Sequence, residues 1–208
     1  MSKTAPWLIT ALFGLALAAE AHSQTLSGAA LVAALRQGGY VLVMRHASSP
    51  RTPPDAAAAD ADNPKAERQL DEAGRASARA MGAALKTLRI PVGEVLSSPT
   101  YRALQTIRLA QLPQPRTFAE LGEGADGMQA DAEGKRSAWL KSKAAEAPAR
   151  GTDTVIVTHF PNVVGAFGRE IAPVADGEAL VFHPDGKGGA NLVARIKMED
   201  WLALAAGH

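Results

Sequence analysis

Three short polar segments, each set at the end of an apolar run, carry the residues that could do chemistry. Arg45-His46 follows the run at 40–44, Ser97 to Arg102 follows the run at 92–96, and His159 follows the run at 154–158. A phosphate monoester dianion needs multidentate cationic donors, and the planar guanidinium fork matches two phosphate oxygens at once. Arg45 and Arg102 can each supply such a fork. A histidine whose attacking nitrogen is unprotonated is a competent nucleophile at phosphorus. His46 and His159 therefore suit one attacking and one stabilising role, with His159 a third cationic donor once protonated. Two nearby arginines disfavour the imidazolium and so keep a nucleophilic imidazole neutral. The other ring nitrogen then needs a fixed acceptor, such as a backbone carbonyl. Such a site works by positioning and electrostatics, as phosphoryl transfer generally does.

These residues need elements that hold them. Residues 26–37 read as a short helix stopped by Gly38-Gly39. Residues 40–44 read as a buried strand. Residues 48–65, rich in Pro, Asp and Ala, read as a long loop. Asp71 caps a helix to about residue 88, with Ala73, Ala76, Ala80, Ala84 and Leu88 as its apolar stripe and Met81 and Leu85 widening it. A second strand at 92–96 leads through a Ser-Ser-Pro turn into a helix at 100–110. Arg102 stands in its first turn, where free backbone N–H groups also favour an anion. Residues 116–121 read as a short strand and 122–130 as a Gly-rich loop. A helix at 135–147, a strand at 154–158 and a helix at 162–171, capped by Asn162, follow. A final strand pair at 179–183 and 192–196 flanks the turn sequence DGKGG. Alternating strands and helices predict an α/β fold with a mostly parallel sheet. In such sheets ligands bind beyond the carboxyl ends of the strands, which is where the three polar segments stand.

VLVMRHASSP resembles the Arg-His-Gly signature of the histidine phosphatase superfamily, LSSPTYRALQTIRLA its second arginine segment, and TVIVTHFPN its strand bearing the second histidine. RQLDEAGRASARAMGAAL is similar to the family's helix between the first two motifs. The segments occur in the family's order and span nearly all of residues 24–208. The resemblance implies a phosphoglycerate-mutase-like fold, a three-layer sandwich around a mostly parallel sheet. It implies a phosphohistidine at His46 and a phosphate pocket of Arg45, Arg102 and His159, with neither metal nor organic cofactor. Ala47 replaces the usual glycine. Ser49 matches a phosphate-contacting serine of the mutase branch, whereas Thr52 stands where that branch has asparagine, so hydrolysis is favoured over mutase chemistry. Ser49 and Arg51 are further candidates for phosphate contact, against the plainer reading as loop residues. A leaving alkoxide needs a proton, and a carboxyl group is the usual donor. Glu120 is placed like the family's acidic residue, with Glu123 and Asp126 as rivals.

Composition narrows the function further. Lys+Arg 22 against Asp+Glu 21 gives a net charge of +1, which offers no support for nucleic-acid binding. With no cysteine there is no disulfide, thiolate nucleophile or lipoprotein anchor. Lys3, the apolar run at 7–19 and the small residues Ala19 and Ala21 form a secretory leader, residues 1–23, with a second possible cut after Ser23. The run is shorter than the roughly 20 residues of a spanning helix. The expectation is therefore an exported, periplasmic or secreted phosphomonoesterase acting on a small phosphate ester, without stable membrane insertion after leader cleavage. Three rivals stand beside it. One is a phosphohistidine-protein phosphatase, which export would separate from its targets. Another is a non-catalytic anion-binding module, which would not need both histidines and both arginines. The last is a metal site on His46 and His159, which lacks clustered carboxylates.

Overall fold

The computed structural model describes residues 25–123 and 130–207. The expected leader, residues 1–23, and Asp126 lie outside the described residues. In chain order the elements are α1 (Gly28–Gln37), β1 (Val41–Arg45), α2 (Glu72–Thr87), β2 (Val92–Ser97), α3 (Tyr101–Leu109), β3 (Arg116–Thr117), α4 (Ala130–Ala144), β4 (Asp153–Thr158), α5 (Phe160–Phe167), β5 (Ala179–Pro184), β6 (Ala190–Ile196) and α6 (Asp200–Ala206). Among the described residues the strands form one sheet in the order β3-β2-β4-β1-β5-β6. The first four run parallel, while β5 and β6 pair antiparallel at one edge. No helix among the described residues is long and apolar enough to cross a membrane.

Strand alternation builds the three layers. Leu42 and Met44 of β1 face one core, with Leu35 of α1, Met81 and Leu85 of α2, Ile107 of α3 and Trp201 of α6. Val41 and Val43 face the other, with Leu140 of α4 and Val163 of α5. Both faces of the central strands are thus covered, and β4 is buried along its whole length. Each fully buried aliphatic side chain contributes about 1.5–3 kcal/mol relative to exposure.

Helix α2 begins where its cap predicts, with Asp71 Oδ1 accepting the Gly74 N–H at 2.7 Å. Its buried face differs from the expected stripe. Gly74, Ala78, Met81, Gly82, Ala84 and Leu85 are buried, whereas Ala73 and Ala76 are exposed. The expected face holds at Met81, Ala84, Leu85 and Leu88, and it departs only in the first half of the helix, where Gly74 and Ala78 are buried instead of Ala73 and Ala76. A Cβ on Gly74 would lie 2.1 Å from the Ser48 carbonyl oxygen. The segment at 116–121 is also not a continuous strand: after β3 it turns into a short 3-10 helix, Ala119–Leu121.

The loop between β1 and α2 is anchored rather than slack. Asp60 accepts from Arg75, Tyr101 and Gln105, and Gln105 Oε1 in turn accepts the Leu70 N–H at 2.7 Å. At the opposite end of the sheet, Asp153 is fully buried. Its Oδ1 accepts the Tyr40 N–H at 2.9 Å, while Oδ2 has no hydrogen-bond partner among the described residues. Burial pushes this carboxyl up to about 7, partly offset by the Tyr40 hydrogen bond.

Candidate active site

The sheet's hydrogen-bond ladder sets the first two site residues side by side. Arg45 of β1 pairs in register with Thr158 of β4, and the His46 N–H donates to the Thr158 carbonyl at 3.0 Å. His46 and His159, each the residue after its strand, emerge at the same carboxyl edge with ring centroids 5.2 Å apart. Strand β2 adds Ser98, whose N–H donates to the Val157 carbonyl at 2.9 Å. The next turn starts α3 and brings in Arg102. His46, Arg102 and His159 are all buried.

Arg102 joins the two imidazoles. Its Nε donates to His46 Nε2 at 3.2 Å, and its Nη2 lies 3.2 Å from His159 Nδ1. An arginine has no lone pair to offer, so both ring nitrogens must be acceptors. The tautomers follow. His46 carries its proton on Nδ1 and donates to the Ala47 carbonyl at 2.7 Å. His159 carries its proton on Nε2, directed at Ser98 Oγ at 2.8 Å. Burial lowers the His46 pKa to about 4, aided by Arg102, Arg45 and Arg68 and opposed by the Ala47 hydrogen bond. Burial, then Arg102, drives His159 far below its ordinary value. Both imidazoles are neutral in the free pocket, and His46 holds an unprotonated Nε2 toward its centre. His159 is therefore uncharged in this arrangement, with Nδ1 accepting from Arg102.

The backbone around His46 is fixed on several sides. The Ala47 N–H donates to Thr106 Oγ1 at 3.1 Å, and that hydroxyl donates to the Arg102 carbonyl at 2.9 Å. Ala47, which replaces the usual glycine, is fully buried and belongs to the core on the α2 and α3 side of the sheet. Asp71 Oδ2 accepts from Ser48 Oγ at 2.6 Å, fastening α2 to the segment after His46.

The other expected residues are placed unequally. Arg45 stands at the rim, bound to the Val174 carbonyl at 2.9 Å and to Asp176 at 2.6 Å, and its charge acts on both imidazoles. The Ser49 hydroxyl donates to the Gln69 carbonyl at 2.9 Å, so its hydrogen is engaged in the loop. Arg51 is exposed and is not drawn into the cluster. Glu120 lies half-buried in the 3-10 turn, whereas Glu123 Oε2 meets Arg102 Nη2 and lies 3.8 Å from Arg68 Nη1. At the N-terminus of α3 the Tyr101 N–H donates to the Glu67 carboxylate at 3.0 Å, so one of its free N–H groups already holds an anionic group.

Two contributors carry little signal in the sequence. Asn162 does not cap α5; His159 holds that position. Its Nδ2 instead donates to the Leu121 and Gly122 carbonyls, at 3.1 and 2.9 Å, fixing the backbone just before Glu123. Arg68 lies in a loop without periodicity, marked only by opening the segment RQLDEAGRASARAMGAAL just before the capped start of α2. No group of three or more His, Cys, Asp or Glu among the described residues could hold a metal ion.

Comparison with known proteins agrees with this geometry. The sequence matches the model of the histidine phosphatase superfamily (branch 1) over residues 41–157. The fold is similar to that of the protein histidine phosphatase SixA complexed with tungstate, with a TM-score of 0.54 and 21% identity, covering 77% of this chain and 98% of that one. It is also similar to phosphoserine phosphatase from Entamoeba histolytica, with a TM-score of 0.55 and 12% identity, covering 78% of this chain and 98% of that one. No curated protein matches the sequence. The match covers more than half of the chain and takes in Arg45, His46 and Arg102, so this phosphatase belongs to the histidine phosphatase superfamily.

Proposed function

We propose that the protein is an exported phosphomonoester hydrolase that works through a phosphohistidine at His46. The observation that carries this reading is the convergence of two neutral imidazoles on one buried guanidinium, with His46 Nε2 unprotonated and its tautomer held by the Ala47 carbonyl. A phosphate dianion entering between them takes the Arg102 donors that now face the rings. Arg45 screens its charge from the rim, and His159 gains a proton and donates Nδ1–H to a phosphoryl oxygen.

The entering dianion displaces the Glu123 carboxylate from Arg102, and the freed carboxylate takes a proton from solvent. His46 Nε2 then attacks phosphorus. The bond to the leaving oxygen breaks with its electron pair, and that oxygen takes the proton from Glu123. Water next attacks the phosphohistidine and gives a proton back to the Glu123 carboxylate, the P–N bond returns its pair to Nε2, and inorganic phosphate leaves. Glu123 replaces Glu120 as the favoured donor because Thr158 and Asn162 hold its preceding backbone against the site. Export rests on the leader-like residues 1–23, and small phosphate esters are the proposed substrates.

Incubation of the mature domain with an aryl phosphate tests the reading. Phosphate release is expected, with competitive inhibition by vanadate, loss of activity in His46→Ala, and a covalent phosphoenzyme that is acid-labile and alkali-stable. A wild-type protein that releases no phosphate at any pH from 4 to 9 would end it. A phosphohistidine peptide in the same screen distinguishes the phosphoramidate alternative.

A further inference from the structure

We infer that Arg68 is a third arginine of the phosphoryl site, contacting the transferred group opposite Arg102. The inference rests on the phosphatase reading above and adds a residue to it. Arg68 belongs to none of the three polar segments; it reaches the site from the loop before α2. Its Nε donates to the Pro50 carbonyl at 2.7 Å, and Nη2 lies 3.5 Å from the Ser49 carbonyl. Those contacts aim the fork, leaving Nη1 toward the pocket, 3.8 Å from Glu123 Oε2.

That oxygen is the one Arg102 Nη2 also holds. Two guanidinium groups from different parts of the chain thus converge on a single carboxylate oxygen, marking a place where an oxyanion is stabilised from two sides. The field of Arg68 reaches both imidazoles, where it adds to Arg102 and Arg45 in disfavouring the imidazolium. Burial lowers the pKa of Arg102, Glu123 opposes the shift, and the charge of Arg68 adds to it. An anion placed between the two guanidinium groups relieves their repulsion, and a phosphoryl group in transfer carries more diffuse oxygen charge than a single carboxylate. When Glu123 turns to the leaving oxygen, the phosphoryl oxygens take its place between Arg68 and Arg102. Arg51, the loop arginine favoured by sequence, is exposed; Arg68 is the loop arginine that the fold directs inward.

The test compares wild type with Arg68→Ala and Arg68→Lys, using Lys65→Ala to remove a positive charge from the same loop. Vanadate affinity is measured by calorimetry, and kcat and KM for an aryl phosphate are measured in parallel. Arg68→Ala is expected to lower kcat/KM about 10- to 100-fold, mostly in kcat, and to weaken vanadate by a similar factor, the range for a charge-assisted hydrogen bond. Arg68→Lys keeps the charge but not the fork and should recover part of both losses. Lys65→Ala should stay within about twofold of wild type, the margin expected for a screened surface charge. If Arg68→Ala does not fold, Arg68→Lys and Arg68→Met are read by the same criteria. Vanadate affinity unchanged in the Arg68 variants, with or without a fall in turnover, overturns the inference while the phosphatase reading stands. Wild type that neither binds vanadate nor releases phosphate removes both.

Discussion

Replacing Asp153 with asparagine should change how stability depends on pH. The wild-type carboxyl titrates near 7 in the fold, against an ordinary 3.8. Below 3.8 it is protonated in both states and has no effect. As pH rises from 3.8 toward 7, the unfolded chain ionises while the folded one stays protonated, so stability falls; above 7 both are ionised and the curve flattens. That interval, at about 1.36 kcal/mol per pH unit, corresponds to roughly 4 kcal/mol, and allowing for water penetration leaves a loss of roughly 2 to 4 kcal/mol. An asparagine keeps an acceptor for the Tyr40 N–H but turns an amide N–H₂ into the place of the unpartnered Oδ2, at a cost of about 1–3 kcal/mol. Asp153→Asn should therefore be less stable than wild type near pH 4.5, and the two should converge by pH 8. Tyr40 is raised by burial and by Asp153, away from this range. Urea unfolding at intervals from pH 4.5 to 8.5 provides the assay, with the difference between the two curves cancelling the other carboxylates. Parallel curves would refute the reasoning, since they would mean that Asp153 ionises alike in both states.

Four further outcomes are expected. With His46 near 4, the acid limb of kcat/KM should follow the substrate's own phosphate ionisation, at about 6 for an alkyl ester, and move when a more acidic phosphate is used; a limb fixed near 6.5 for both substrates contradicts the neutral pair. Gly74→Ala should destabilise by about 1–3 kcal/mol and depress kcat/KM by at least about tenfold, because its Cβ would displace the Ser48 backbone beside the nucleophile; an unchanged melting curve and rate would disprove this. Ser98→Ala removes the nearest acceptor of the His159 Nε2–H and should cost about tenfold in kcat/KM, with Ser98→Thr recovering part of it. Glu123→Gln should slow an alkyl phosphate by about 100-fold but an aryl phosphate by less than about fivefold; equal losses on the two would assign the proton elsewhere.

Sequence made the strand ends plain because short, largely apolar runs stop there and polar residues follow: Arg45-His46, Ser97-Ser98 and His159. β1, β2 and β4 could be placed for that reason, and with them His46, His159 and Arg102. Helix α2 was legible in extent and in the buried face of its second half, but not in that of its first. Its alanines fit either face at little energetic difference, and the deciding contact, Gly74 against Ser48, is made far along the chain. The loop before α2 was harder still. Its order comes from Asp60 reaching α2 and α3, contacts without any local period, so Arg68 could not be told from Arg51. Asn162 likewise reads as a helix cap until the fold shows the turn it supports. The choice between Glu120 and Glu123 depends on a 3-10 turn where sequence suggested a strand.

The in-register pairing of β1 with β4 bears on how this architecture can diversify. Because adjacent rungs of a parallel ladder hold the two imidazoles, their separation is inherited from the rigid middle of the sheet. The connections that approach the reacting group from above, including those bearing Arg68 and Glu123, are separate stretches of chain. Insertions or exchanges there can retune which molecules are admitted while the attacking nitrogen stays where it is. Preference can thus be changed in those loops as long as Arg68 and Glu123 are kept, and grafting the rest of the loop before α2 from another member should transfer preference without rebuilding the strand ends that hold the imidazoles.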